Sequence, residues 1–198
     1  MIRAFMLAAI ALAAFAADPV PPGAKAPPFT LTSAEGKPVS LADHAGKTVV
    51  LEWVNYDCPF VKKHYQSSGN IPKLQAEAKA AGVVWLSICS SAPGKQGHFA
   101  GAELTARIAA EKAVPTAYLI DADGAVGKAY GAATTPQIVI VDKDGVVRYH
   151  GAIDSIRSTD AADIAKATNH VSAALADLAA NRPVATAQTK SYGCGVKY

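Results

Sequence analysis

Thr48-Val49-Val50-Leu51-Glu52-Trp53-Val54-Asn55-Tyr56-Asp57-Cys58-Pro59-Phe60-Val61-Lys62-Lys63-His64-Tyr65 is the stretch on which the fold turns. Its first seven residues are almost continuously apolar and rich in β-branching, the pattern of a strand buried on both faces. Pro59 then suits the first turn of a helix, where its missing N–H costs nothing. The spacing therefore predicts a helix from Cys58 to about Gln66, broken by Ser67–Asn70. Cys58 stands where a buried strand passes into a helix, and in open α/β sheets that edge is where ligands bind. Helix N-terminal N–H groups and their dipole favour a thiolate there, and Lys62 and Lys63 add positive potential. A lone cysteine is otherwise a buried, inert thiol; the strand-to-helix placement favours the reactive reading.

Further along, Val83–Cys89 is a second apolar strand, and a helix over 72–81 links it to the first. Two such strands joined by a helical crossover are expected to be parallel. Ala102–Ala113 carries Leu104, Ile108 and Ala109 at helical spacing, and Ala117–Ile120 and Gln137–Val141 read as short strands. Lys143-Asp144-Gly145 signals a hairpin into Val146–Tyr149, so that pair should be antiparallel. Thr168–Ala180 places Val171, Ala174, Leu175 and Leu178 on one helical stripe. The fold class that follows is α/β, a mixed sheet with helices on both faces. Phe29 to Arg182 forms the domain, and Pro183–Tyr198 a cysteine-containing tail. Ala17–Pro28, with five prolines, reads as a linker.

Residues 1–16 read as a secretory signal: Arg3, an uncharged run from Ala4 to Ala16, and small residues at Ala14 and Ala16 before a cleavage site. The apolar run is shorter than the roughly 20 residues a membrane span needs, so stable membrane insertion is not expected. The chain of 198 residues is 51% hydrophobic and 18% charged with net charge +3, enough apolar content for a full core. No Lys/Arg stripe accompanies the charge, so nucleic-acid binding is not expected. Three cysteines (Cys58, Cys89, Cys194) are too few and too widely spaced for a disulfide scaffold or a structural zinc site.

Gly23–Leu41 followed by Gly46–Leu51 resembles the opening of the thioredoxin-fold redoxins. Glu52–Tyr65 resembles a peroxiredoxin-like branch of the alkyl hydroperoxide reductase/thiol-specific antioxidant family. Tyr192-Gly193-Cys194-Gly195-Val196-Lys197-Tyr198 is similar to that branch's C-terminal signature. The resemblance implies a thioredoxin-like three-layer sandwich with an N-terminal extension. It implies Cys58 as the attacking cysteine, Thr135-Pro136 as the cis-proline dipeptide facing it, and Arg148 as the arginine aimed at its thiolate. Pro59 and Asn55 would join Thr135 and Pro136 around the substrate. Peroxiredoxins carry proline and a hydroxyl residue where this chain has Leu51 and Asn55, and thioredoxins a second cysteine where it has Val61. The resolving partner would be Cys194, on a tail that bends freely between glycines; Cys89 reads as a buried strand thiol, with pairing to Cys58 as its alternative. Glu52 matches the buried acid of thioredoxins, and burial would raise its pKa, making it a catalytic proton acceptor or donor for thiol exchange; its alternative is a salt-bridged strand residue. His64 reads as a helix-surface residue.

The expected function is an exported oxidoreductase that reduces peroxides through Cys58, with Cys194 resolving and an external thiol reductant, such as a thioredoxin-like donor, resetting the pair. Exchange with protein disulfides is the alternative, and a copper site at Cys58, His64 and Cys194 a weaker one. No cofactor is called for.

Overall fold

The computed structural model describes residues 19–198, so the expected signal segment lies outside the described residues. In chain order the elements are β1 (Thr30–Ser33), β2 (Pro38–Ser40), β3 (Val49–Trp53), α1 (Pro59–His64), α2 (Asn70–Ala80), β4 (Val84–Cys89), α3 (Gly101–Ala110), β5 (Ala117–Ile120), α4 (Ala125–Ala129), β6 (Thr134–Thr135), β7 (Gln137–Val141), β8 (Val147–Gly151), α5 (His170–Ala179) and β9 (Cys194–Gly195). A seven-stranded sheet runs β2-β1-β5-β4-β3-β7-β8, and β6 pairs with β9 apart from it. Strands β3, β4 and β5 are mutually parallel, as the helical crossovers require, while β7 is antiparallel to both β3 and β8.

Period-two alternation along β3 splits the core into two layers. Val50 and Val54 look toward α1, α2, α3 and α5, where they meet Val61, Leu74, Leu104 and Val171. Val49, Leu51 and Trp53 look the other way, toward Val126, Tyr130, Val20 and Phe29. The expected sandwich is therefore present, with its second layer made by short α4 and the N-terminal segment. The sequence pattern carries no helix at 125–129, because five residues with an internal glycine have no periodicity. Buried Asp121 makes it: its carboxylate accepts from the N–H groups of Val126 at 3.2 Å and Gly127 at 2.8 Å.

Two segments differ from expectation. The proline-rich stretch before Phe29 is docked rather than a free linker. Gly23 N–H donates to Val147 C=O, Val147 N–H to Ala24 C=O, and Tyr130 Oη to Pro27 C=O. Its non-proline residues supply the donors and acceptors that the edge strand β8 would otherwise leave open. The C-terminal tail is likewise stitched down. His150 N–H donates to Ala187 C=O, Val196 N–H to Ala133 C=O, and Ala92 N–H to Lys197 C=O. Among the described residues no helix is long and apolar enough to cross a membrane.

Candidate active site

Cys58 caps α1 in extended backbone (φ −71°, ψ 126°), with Pro59 at the first helical position. The turn before it is held by Asn55, whose Oδ1 accepts from Asp57 N–H at 2.9 Å and whose Nδ2 donates to Gln96 C=O at 3.2 Å. Arg107 closes the same turn from α3, donating to Tyr56 C=O and Asp57 Oδ1. The Cys58 side chain is fully buried. Its Sγ lies 3.1 Å from the Thr135 carbonyl oxygen, to which the thiol donates, and 2.6 Å from Cys194 Sγ. The Thr135–Pro136 peptide is cis.

Cys194 reaches Cys58 because β9 lies antiparallel on β6, with Cys194 opposite Thr135. Gly193 makes the approach possible. Its φ of +142° is a conformation L side chains rarely adopt, and a Cβ there would run into the Thr135 carbonyl. Burial, followed by its contact with Cys58, pushes the Cys194 thiol up to about 12. Cys194 is half-buried, so of the two sulfurs it is the more accessible.

Glu52 is fully buried, six residues before Cys58 on the face of β3 that looks toward α1 and α2. Its carboxylate accepts from Tyr65 Oη at 2.8 Å, Trp85 Nε1 at 2.8 Å and Ser87 Oγ at 2.9 Å, with Gln75 Nε2 at 3.4 Å. Desolvation raises its pKa, and these four donors oppose the rise. Among the described residues its partners are these neutral donors and no cation, so the salt-bridge alternative does not hold. Cys89 is buried in β4 and donates to Gly97 C=O at 3.3 Å, whereas the sulfur beside Cys58 is that of Cys194.

Several expected neighbours of Cys58 lie elsewhere. Arg148 sits near the opposite end of the sheet, beside Val147, which pairs with Val141; β7 enters that pairing from Gln137, the residue opposite Trp53. Its guanidinium donates to Asp142 Oδ2 at 2.6 Å and is nearly half exposed. The hairpin that carries Arg148 turns it away from α1. Asn55 has both functional ends of its amide committed to backbone groups, so it shapes the loop. Lys63 lends no free positive charge: it is buried and paired with Asp154 Oδ2 at 3.3 Å. His64 is not on the surface. It is fully buried, and burial lowers its pKa to about 4. The residues that the linear pattern did not disclose are Asp154 and the donors around Glu52. An acid within Ala152-Ile153-Asp154-Ser155-Ile156 is the same signal that marked Glu52, a carboxylate among apolar residues. Among the described residues no three His, Cys, Asp or Glu side chains gather as a metal site.

The Redoxin family model matches residues 21–169. Among solved structures, an uncharacterized conserved protein from Geobacillus kaustophilus is similar at 30% identity and a TM-score of 0.76, over 90% of this chain and 93% of that one. A hypothetical protein from Sinorhizobium meliloti is similar at 26% identity and a TM-score of 0.73, over 91% and 96%. The thioredoxin domain of a thiol-disulfide oxidoreductase from Bacteroides vulgatus shares the fold at 20% identity and a TM-score of 0.52, over 73% and 95%. No curated protein matches.

Proposed function

The chain belongs to the Redoxin family, and from that premise we propose that it is an exported dithiol–disulfide oxidoreductase whose redox unit is Cys58 with Cys194. One observation carries this reading: the two sulfurs, 136 residues apart in sequence, stand 2.6 Å apart. Thiolate Cys58 attacks one sulfur of a substrate disulfide and expels the other as a thiolate. Cys194 then attacks Cys58 Sγ in the mixed disulfide, releasing the second substrate thiol and leaving a Cys58–Cys194 disulfide. An external dithiol, such as a thioredoxin-like donor, returns the two electrons, and the exposure of Cys194 makes that sulfur its point of attack. The Thr135 carbonyl orients the Cys58 thiol, and Glu52 is the buried acid nearest in sequence to it. Export rests on Arg3 and the apolar run to Ala16.

A second reading is favoured by the burial of Cys58: a peroxide of a few atoms reaches that sulfur with less movement than a protein disulfide does. Cys58 would attack the distal peroxide oxygen, releasing water or an alcohol, and Cys194 would condense with the sulfenic acid, releasing water. In this reading the peroxide is oriented without Arg148, which is paired with Asp142.

The deciding experiment reduces the protein and presents hydrogen peroxide or a protein disulfide, with mass spectrometry of the blocked products. A Cys58–Cys194 disulfide formed at the expense of the protein disulfide, and lost in Cys58→Ser, supports exchange. Consumption of peroxide alone selects the second reading. Failure of any Cys58–Cys194 bond to form with either oxidant removes both.

A further inference from the structure

Tyr192 lies two residues before Cys194, and its hydroxyl donates to the buried Asp154 carboxylate. The same Asp154 accepts from Ile156 N–H at 3.1 Å and from the buried Lys63 ammonium, with His64 Nε2 3.7 Å away. Lys63 also donates to Ile156 C=O at 3.2 Å. The Tyr192 ring meets Phe60 edge-to-face at 5.8 Å. Phe60, Lys63 and His64 all belong to α1, the helix that Cys58 caps. The tail is thus pinned, through one aspartate, to the helix that carries the attacking cysteine. Asp154 thus joins the Tyr192 hydroxyl and the Lys63 ammonium in one buried cluster, and the contacts of such a cluster support one another.

We propose that Tyr192 and Asp154 are positioning residues that latch the tail over Cys58, presenting Cys194 to it and setting how often Cys58 opens to a second molecule. The inference rests on the reading of Cys58 and Cys194 as the redox unit. Cys58 has no exposed surface, and Cys194 on the latched tail is in contact with it. A substrate disulfide therefore meets Cys58 only when the tail lifts, and local opening of this kind is separable from global unfolding. Lifting the tail breaks the Tyr192–Asp154 bond and leaves the Lys63–Asp154 pair in place, so the helix keeps its partner while the tail moves.

The test is site-resolved alkylation of the fully reduced protein with iodoacetamide, read by peptide mass spectrometry, in wild type and Tyr192→Phe. Phenylalanine keeps the ring against Phe60 and removes only the hydroxyl. Cys58 should label roughly tenfold faster in Tyr192→Phe, the low end of what a hydrogen bond to a charged group holds closed. Cys89, buried in β4 among core residues, reports global opening in the same sample, and its rate should not change. An unchanged Cys58 rate, or an equal rise at Cys58 and Cys89, overturns the latch. If Tyr192→Phe does not fold, the paired variant Lys63→Met with Asp154→Leu, which leaves the Tyr192 hydroxyl without its acceptor, is read by the same two rates. Labelling of reduced thiols does not depend on disulfide formation. Loss of the Cys58–Cys194 bond in wild type would therefore refute the functional reading alone, and unchanged labelling the latch alone.

Discussion

His64 makes the acid side of the stability curve a sharp test of the fold around the site. The ring is fully buried, Asn70 Nδ2 lies 2.9 Å from its Nδ1, and its Nε2 faces Asp154 Oδ2 at 3.7 Å. An amide NH2 can only donate, so Nδ1 is the acceptor and the single ring proton sits on Nε2. A second proton would fall on Nδ1 and oppose the Asn70 amide, in a site already holding the Lys63 ammonium. Desolvation dominates and lowers the pKa from 6.5 to about 4, with Asp154 opposing the change and Lys63 adding to it. The sign follows from linkage. Between those two values the unfolded chain binds a proton at His64 that the folded chain refuses, so stability falls as pH falls through that window. At 1.36 kcal/mol per unit, the loss from this one group is about 2 kcal/mol at pH 5 and about 3 kcal/mol at pH 4. Carboxylates and other histidines titrate in the same range, so the measurement is a difference. Urea unfolding followed by circular dichroism from pH 7 to pH 4 is compared between wild type and His64→Gln. Glutamine can accept from Asn70 through Oε1 and donate to Asp154 through Nε2 without taking up a proton. The variant should lose about 3 kcal/mol less than wild type across that range. Parallel curves would refute the burial argument for His64.

Arg148→Ala should leave turnover of the redox pair unchanged and shift stability by no more than about 1 kcal/mol, because it breaks a partly exposed ion pair with Asp142; a large loss in kcat would return this arginine to the reaction. Glu52→Gln should lower stability by about 1–3 kcal/mol in chemical unfolding, since it sets an NH2 group against the donors Trp85 Nε1 and Gln75 Nε2; a more stable variant would refute the cage as described. Truncation before Ser191 should destabilise the domain by at least about 3 kcal/mol, the cost of emptying a buried aromatic site, because Tyr192 is a core residue; an unchanged thermal midpoint would show the tail to be an appendage.

The stretch from Thr48 to Tyr65 carries its own structure in its order. A β-branched apolar run makes a two-sided strand, Pro59 opens a helix, and chain continuity alone puts Cys58 at the strand's end. The parallel pairing of β3 with β4 and the hairpin from β7 to β8 follow in the same way from connection length and turn chemistry. Glu52 was also legible as a buried acid, because its offset lies within one strand. These features are local, and local features are written in spacing.

What only the tertiary structure decided is how distant segments close over that local frame. Arg148 reads as a site residue by its motif, yet the hairpin's register sends it toward Asp142 at the other end of the sheet. Asn55 reads as a substrate group, yet its amide is spent on Asp57 and Gln96. Lys63 and His64 read as surface charge on a helix, and Asp154, some 90 residues later, draws both inside. The tail reads as free between its glycines, and Tyr192, Gly193 and the pairing of β9 with β6 tie it down. Burial and partner choice are properties of pairs of residues far apart in the chain. No periodicity in either segment carries them, and they are settled only when the sheet is built and the unpaired polar groups must find one another.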